Sequence, residues 1–189
     1  EERQALEKRR HMPQAYLDAL RGPCLCVMLL LLTGARLSEV RLARVDEVDE
    51  ERRRIVIPRG KNGERRVLIL APLAQQLVTE QIARAAALGS DYLFPSPLTP
   101  KRACSKTMVW NVFVRAKAKA GIPKRTVHDL RHSCATRLYQ LEVPRDTIQG
   151  VLGHVNPRST DHYLHESESP QVRRALELYE QQVRGARDG

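Results

Sequence analysis

The sequence has no segment long enough to span a membrane and no cysteine pairs at metal-binding spacing. Its longest apolar run, CLCVMLLLLTG at 24–34, is shorter than the roughly 20 apolar residues that a spanning helix needs. This run predicts a buried core helix. Its two thiols, Cys24 and Cys26, belong to a set of four cysteines without a Cys-x-x-Cys pair. We therefore expect buried free thiols in a reducing compartment, not disulfides or a zinc cluster.

Acidic residues are in the minority in this chain. Lys and Arg number 32 against 22 Asp and Glu, which gives a formal net charge of +10 and a sequence pI of about 9.9. So basic a chain predicts a nucleic-acid partner, because positive side chains neutralise phosphates. A basic charge that serves only solubility or RNA contact is the alternative. With 189 residues, 42% of them apolar, the chain can form one domain with a substantial core.

Helical periodicity and glycine stops divide most of the chain into helices. The segment MPQAYLDALRG predicts a first helix that ends at Gly22, before the buried helix that ends at Gly34. A short helical turn follows from Ala35. Further helices are predicted over residues 72–89, 106–121, 126–139, from 143 to an end at Gly153, and over about 170–184.

One hairpin interrupts the helices. Two β-rich segments, Ile55–Ile57 and Val67–Leu70, flank the sequence GKNG at 60–63, and Asn-Gly between such segments predicts a tight turn. A third strand is expected around Val45–Val48. The predicted fold class is α+β, mainly α-helical, with a small three-stranded antiparallel sheet.

The segment TVHDLRHSCATRLY at 126–139 carries His128, Arg131 and His132 on one helical face. A zinc site, a phosphate site and an ordinary polar helix edge all produce such a pattern. The zinc-protease pattern His-Glu-x-x-His is not met, and a guanidinium beside a metal ligand disfavours a dication. We therefore expect no metal, and interpret His132 as a helix residue that contacts the site at most indirectly. Residues 133–135 are expected to seat the helix in the core.

A phosphate site needs cationic donors from several elements, and the chain offers candidates. Arg36 follows the end of the buried helix, although pairing with Glu39 would also explain it. Lys61 stands at the hairpin tip, where a solvated turn lysine is the alternative. His154 follows the glycine of LGH, and Tyr163 comes nine residues later.

The order Arg, Lys, His-x-x-Arg, His, Tyr resembles the catalytic domain of the tyrosine recombinases, the phage-integrase family. TGARLSE is similar to their first arginine box and HDLRHSCAT to their second, while LGH followed nine residues later by Tyr matches the rest. The resemblance covers about residues 12–180. It implies the DNA breaking-rejoining fold of that family and a site-specific recombinase that cleaves and rejoins DNA through a covalent 3′-phosphotyrosyl intermediate.

This chemistry assigns a role to each candidate. A covalent nucleophile conserves the phosphodiester bond energy, and Tyr163 is the candidate. Arg36 and Arg131 would stabilise the charge on the non-bridging oxygens, with His154 donating a hydrogen bond to the same phosphate. His128 is placed as general base or proton carrier. The resemblance implies that Lys61 protonates the leaving 5′-hydroxyl, and that no cofactor or metal takes part.

The remaining tyrosines are better explained by packing. Tyr179 shares one face of the last predicted helix with Val172, Leu176 and Val183, which predicts a buried stripe. Only Tyr163 has polar neighbours and follows LGH.

The resemblance also implies partners and a setting. We expect double-stranded DNA attachment sites as substrate, a homo-tetramer on DNA formed from free monomers, no membrane association, and a bacterial cytoplasmic location at the nucleoid. The host would be a mobile element such as a prophage. Two alternatives stay open: a type IB topoisomerase that relaxes DNA, and an inactive DNA-binding protein.

The expected domain organisation is a single catalytic domain over residues 1–189. The additional N-terminal DNA-binding domain of full-length integrases has no counterpart in the sequence, and the chain begins at Glu1, as a fragment of a longer protein would. A C-terminal helix within about residues 168–189 is expected to dock in cis or in trans.

Overall fold

The computed structural model describes residues 14–58, 65–153 and 169–185, with side chains from Asp18 onward in the first helix. Within these ranges the chain is mostly helical and contains a three-stranded antiparallel sheet in the order β1-β2-β3, as predicted. No helix in them is long and apolar enough to cross a membrane. The elements are α1 (Gln14–Thr33), α2 (Leu37–Arg41), β1 (Val48–Asp49), β2 (Arg54–Ile57), β3 (Arg66–Ile69), α3 (Pro72–Ala87), α4 (Lys106–Lys119), α5 (Val127–Gln140), α6 (Arg145–Leu152) and α7 (Pro170–Gly185).

The first two predicted helices are one continuous helix. α1 passes through Gly22 and Pro23, so the predicted end at Gly22 is wrong. Proline removes one intrahelical hydrogen bond, but the residues that follow it bury an apolar face through Leu25 and Leu29. Tertiary packing of this face outweighs the local cost. The predicted break at Gly34 is confirmed, since that residue adopts a positive φ of 61° directly after α1.

The hairpin is confirmed by its register. Ile55 pairs with Leu68 and Val56 with Val67 in an antiparallel arrangement. Residues 59–64, which include Lys61 and the predicted turn, lie outside the described residues. The third strand lies later than predicted, at Val48–Asp49, because residues 45–47 form a 3₁₀ turn. The carboxylate of Glu47 accepts a hydrogen bond from the backbone N–H of Arg44 at 2.8 Å, which stabilises the turn over an extended strand.

Two of the predicted burials are wrong. Cys26, Cys104 and Cys134 are buried free thiols, but Cys24 is exposed, and Ser133 is exposed beside the buried Cys134. In a helix neighbouring positions differ by about 100° in direction, so a run of small or apolar residues cannot all face the core.

The last helix packs against the chain's own core. Val172, Leu176 and Tyr179 are buried and Val183 is partly buried beside them, which confirms the predicted stripe. The hydroxyl of Tyr179 donates a hydrogen bond to the carbonyl oxygen of Leu31 at 2.9 Å. That carbonyl belongs to the last turn of α1, where helix carbonyls lack intrahelical partners, so α7 caps the end of α1.

Replacement of Tyr179 by Phe should lower the free energy of unfolding by about 1 kcal/mol, because the Leu31 carbonyl loses its donor while the ring still fills the core. Urea denaturation measures the effect. Tyr139→Phe is the matched control, because the Tyr139 side chain is 76% exposed. Equal stability of the two variants would show that the hydroxyl contributes nothing.

Candidate active site

Arg131 lies at the centre of the site, on the buried face of α5. It is only 6% exposed. Its Nη1 donates to the carbonyl oxygen of Gly34 at 2.8 Å, and its Nη2 donates to that of Leu152 at 2.6 Å. Gly34 directly follows the last residue of α1 and Leu152 is the last residue of α6, and the negative ends of two helix dipoles favour a cation. The guanidinium therefore joins two helix ends, with other donors left for a ligand.

Glu39 holds Arg36 at the start of α2. The Glu39 carboxylate accepts hydrogen bonds from the backbone N–H of Arg36 at 2.8 Å and from its Nη1 at 2.7 Å. The pairing that the sequence left as an alternative is therefore present. It does not remove Arg36 from the site, because the side chain remains 31% exposed and lines the same cavity as Arg131.

His128 lies one turn before Arg131 and is exposed. Its ring meets that of His132 edge to face, with centroids 4.8 Å apart. The neighbouring Asp129 is occupied as a helix cap, since its carboxylate accepts from the backbone N–H and hydroxyl of Thr126 at 2.6 and 2.9 Å. In the described part of the chain no three His, Cys, Asp or Glu side chains cluster as metal ligands would.

An open cavity of about 500 Å³ joins these residues. Arg36, His128 and Arg131, three of the six candidates from the sequence, all line it. Lys61, His154 and Tyr163 lie outside the described residues. The lining consists of Ala35, Arg36, Leu37, Lys106, Thr107, Trp110, Thr126, Val127, His128 and Arg131.

Comparison with known proteins assigns the family. Residues 5–169 match the phage integrase family. The chain belongs to that family. It is 34% identical over 142 residues to tyrosine recombinase XerA of Pyrococcus furiosus, an alignment that covers 74% of this chain and 48% of the relative. It is 33% identical over 142 residues to tyrosine recombinase XerD of Corynebacterium glutamicum, covering 74% and 46%. The chain thus spans about half the length of these relatives.

Solved structures show the same fold. A crystal structure of XerA recombinase superimposes with a TM-score of 0.62 at 24% identity, over 90% of this chain and 64% of that one. The XerH site-specific recombinase bound to difH substrate, in a pre-cleavage complex, gives 0.64 at 24% identity, over 82% and 45%. At this identity the likeness shows the fold alone, and it confirms the predicted recombinase catalytic fold.

Beside the cavity lies a buried arginine, Arg66, that the sequence pattern did not indicate, and Lys106 in the cavity lining was not predicted either. Arg66 begins β3 and is 6% exposed. Its Nη1 donates to Glu39 Oε2 at 2.6 Å and its Nη2 to the carbonyl oxygen of Val151 at 2.8 Å. An arginine at the start of a strand that is otherwise apolar, in RVLI, was the available signal. Its partners are 27 and 85 residues away in sequence, so no local pattern pointed to them.

The guanidiniums of Arg36 and Arg66 contact the carboxylate of Glu39, and Arg131 lies close enough to interact electrostatically with all three. Burial, with repulsion from Arg66 and Arg36, lowers the pKa of Arg131 to about 10, so it stays charged at neutral pH. Burial also lowers the pKa of Arg66. Burial alone would raise the pKa of Glu39, but the nearby Arg66 and the hydrogen bonds from Arg36 lower it below its ordinary value.

The depressed pKa of Glu39 predicts an acid-dependent stability. At pH 7 Glu39→Gln should lower the free energy of unfolding by about 3–5 kcal/mol, because it leaves buried guanidiniums without their carboxylate. A lowered folded pKa gives stabilisation that is complete above the unfolded value of roughly 4.3 and is lost as pH falls through the folded pKa. The difference between wild type and variant should therefore shrink below about pH 4.

Urea denaturation at pH 7, 5 and 3.5 measures this difference. Asp46→Asn is the control, because Asp46 pairs with Arg44 at the surface and its side chain is 73% exposed. The control should scarcely move the urea midpoint at any pH. A Glu39→Gln deficit that stays constant down to pH 3.5 would contradict the assigned pKa direction.

Proposed function

We propose that this chain is the catalytic domain of a site-specific tyrosine recombinase that cleaves and rejoins double-stranded DNA. The observation that carries the proposal is the convergence of Arg36, Arg131 and His128 on one cavity, with Arg131 held rigidly between two helix ends. Two guanidiniums fixed on one concave surface suit the geometry of a phosphate. The family and its named relatives, which are tyrosine recombinases, support the same reading.

In the proposed reaction the Tyr163 oxygen attacks the phosphorus of a DNA strand. The new O–P bond forms as the bond from phosphorus to the 5′-oxygen breaks. The proton of Tyr163 passes to His128, and Lys61 supplies one to the 5′-oxygen. Arg36 and Arg131, with His154, hold the negative charge that builds on the non-bridging oxygens. Reversal of these steps with a new 5′-hydroxyl rejoins the strand, so no external energy source is needed.

The alternatives have less support. The relatives named above are recombinases, which argues against a type IB topoisomerase. The rigid seating of Arg131 and its shared cavity with Arg36 and His128 argue against a degenerate DNA-binding protein. We further propose attachment sites as substrate, on an element such as a prophage, assembly of four copies on DNA, and action in the bacterial cytoplasm at the nucleoid.

We also propose that residues 1–189 act as one catalytic domain. Docking of the last helix, α7, in cis is supported by the packing of Leu176 and Tyr179 in the core. In an assembly on DNA this helix would either keep this position or pack in the same way against the core of a neighbouring copy.

The nucleophile is tested by covalent trapping. A library of nicked duplexes with randomised arms serves as substrate, because the short strand downstream of the cut diffuses away and leaves the protein attached. Wild type should form a band that resists denaturant, equally well in excess chelator, and Tyr163→Phe should form none. Tyr179→Phe is the matched control and should retain the band, since its hydroxyl is buried against Leu31.

A band from Tyr163→Phe would assign the nucleophile to another residue. Loss of the wild-type band in chelator would overturn the metal-free mechanism. The sequences recovered in the wild-type band define a cleaved duplex for kinetic work.

DNA affinity should depend steeply on salt. Log K should fall with log salt concentration at a slope of about −0.9 per phosphate contacted, because each contact releases counterions. Arg36→Ala should weaken binding and reduce the magnitude of that slope by about 1, whereas Tyr163→Phe should leave it unchanged. Fluorescence anisotropy between 50 and about 300 mM salt measures both. An affinity that is flat over this range would refute the phosphate site.

A further inference from the structure

We propose that Arg66 is a positioning residue of this site, which couples the carboxylate that holds Arg36 to the end of α6. The inference rests on the proposed function. Neither the family motifs nor the sequence pattern assigned Arg66 a role.

The contacts of Arg66 span two halves of the site. Its Nη1 binds Glu39, whose other contacts fix Arg36 at the start of α2. Its Nη2 binds the carbonyl oxygen of Val151, next to the last residue of α6. The following carbonyl, that of Leu152, is bound by Arg131. Two arginines therefore hold consecutive carbonyls at the end of α6, and one of them also holds the partner of Arg36.

Gly153 is shaped to fit the Arg66 side chain. It adopts a left-handed conformation, with φ 60° and ψ 48°, and ends α6. A Cβ at this position would lie 2.7 Å from Arg66 Cδ and would collide with Nε. The guanidinium thus occupies the space where a side chain would stand. Together with its bond to the Val151 carbonyl, this contact lets Arg66 fix the point at which α6 ends.

Packing alone does not account for an arginine here. β3 is buried along its length, and an apolar residue there would avoid the cost of desolvating a charge. Arg66 also adds repulsion against Arg131, and its Nε has no hydrogen-bond partner among the described residues. These costs are offset only within the charged cluster. Arg131 lines the cavity, whereas Arg66 is not among the residues that line it, so Arg66 acts through Arg36 and the α6 end.

The kinetic test uses Arg66→Met, which keeps the length of the side chain without its charge or its fork of donors. On the duplex recovered from the trapping experiment, the single-turnover rate of adduct formation at saturating protein should fall about 10–100-fold, because small displacements of positioned groups are costly in the transition state. When Arg66→Met is added to Tyr163→Phe, the affinity for the same duplex should fall by a much smaller factor than the rate does. Arg66→Lys should recover only part of the rate, because an ammonium cannot match the planar fork.

A thermodynamic cycle separates positioning from general loss of structure. If Arg66 acts partly through Arg36, adding Arg66→Met to Arg36→Ala should cost much less than it costs alone, since coupled residues are not additive. If Arg66→Met acted only by disturbing the fold, it would lower the rate by the same factor with and without Arg36→Ala. Arg52→Met, which removes an exposed charge with a side chain 69% exposed, is the control and should cleave at the wild-type rate.

The Gly153 contact gives a test that does not depend on cleavage. Gly153→Ala and Gly121→Ala both place alanine at a positive φ, of 60° and 68°, but nothing lies within 4 Å of a Cβ at Gly121. Gly153→Ala should therefore lower the urea midpoint more than Gly121→Ala. In an Arg66→Ala background that excess should disappear.

The outcomes are distinguishable. Absence of an adduct in wild type would overturn the proposed function. A wild-type adduct together with an unchanged rate in Arg66→Met, or full additivity with Arg36→Ala, would overturn the role of Arg66. Equal urea midpoints for Gly153→Ala and Gly121→Ala would overturn the contact between Gly153 and Arg66. This comparison can still be made if Arg66→Met fails to fold.

Discussion

The site depends on one buried carboxylate among cations. Glu39 accepts hydrogen bonds from the backbone and side chain of Arg36 and from Arg66. Both arginines repel the guanidinium of Arg131 electrostatically. Three guanidiniums against one carboxylate leave the cluster with excess positive charge at neutral pH. In a partly desolvated cavity such an excess is costly, and an anionic phosphate relieves it. The same arrangement that limits the stability of the free protein thus favours its proposed ligand.

Helix ends provide the frame for this cluster. The carbonyls that terminate α1 and α6 are satisfied by side chains from elsewhere in the chain: Arg131 binds both ends, Arg66 binds α6, and Tyr179 binds α1. Each of these bonds satisfies a carbonyl that has no partner within its own helix and ties an element of the candidate site to the core. Structural capping and placement of the cations are therefore achieved by the same contacts. This explains why Arg131 can be both buried and part of an open cavity.

The fold was largely predictable because its signals are local. Asn-Gly between β-rich segments specified the hairpin, and glycine positions specified the end of α1 and of α6. Failures came where long-range packing decided the outcome. α1 continues through Gly22 and Pro23 because its apolar face is buried, and the 3₁₀ turn at 45–47 replaces a strand because a side chain caps it. Cys24 and Ser133 face solvent because helical direction, not composition, sets burial.

The sequence by itself determined the family and the identity of the six candidate residues, since the order and spacing of Arg36, Lys61, His128, Arg131, His154 and Tyr163 carry that information. It also determined that Tyr179 belongs to a packing stripe. Only the tertiary structure decided that Arg36 and Arg131 share a cavity, and that Arg66 is linked to Arg36 through Glu39 and to Arg131 through the end of α6. The physical reason is distance along the chain: the partners of Arg66 and Arg131 lie 21 to 97 residues away, and local periodicity carries no information on which side chain meets a distant helix end.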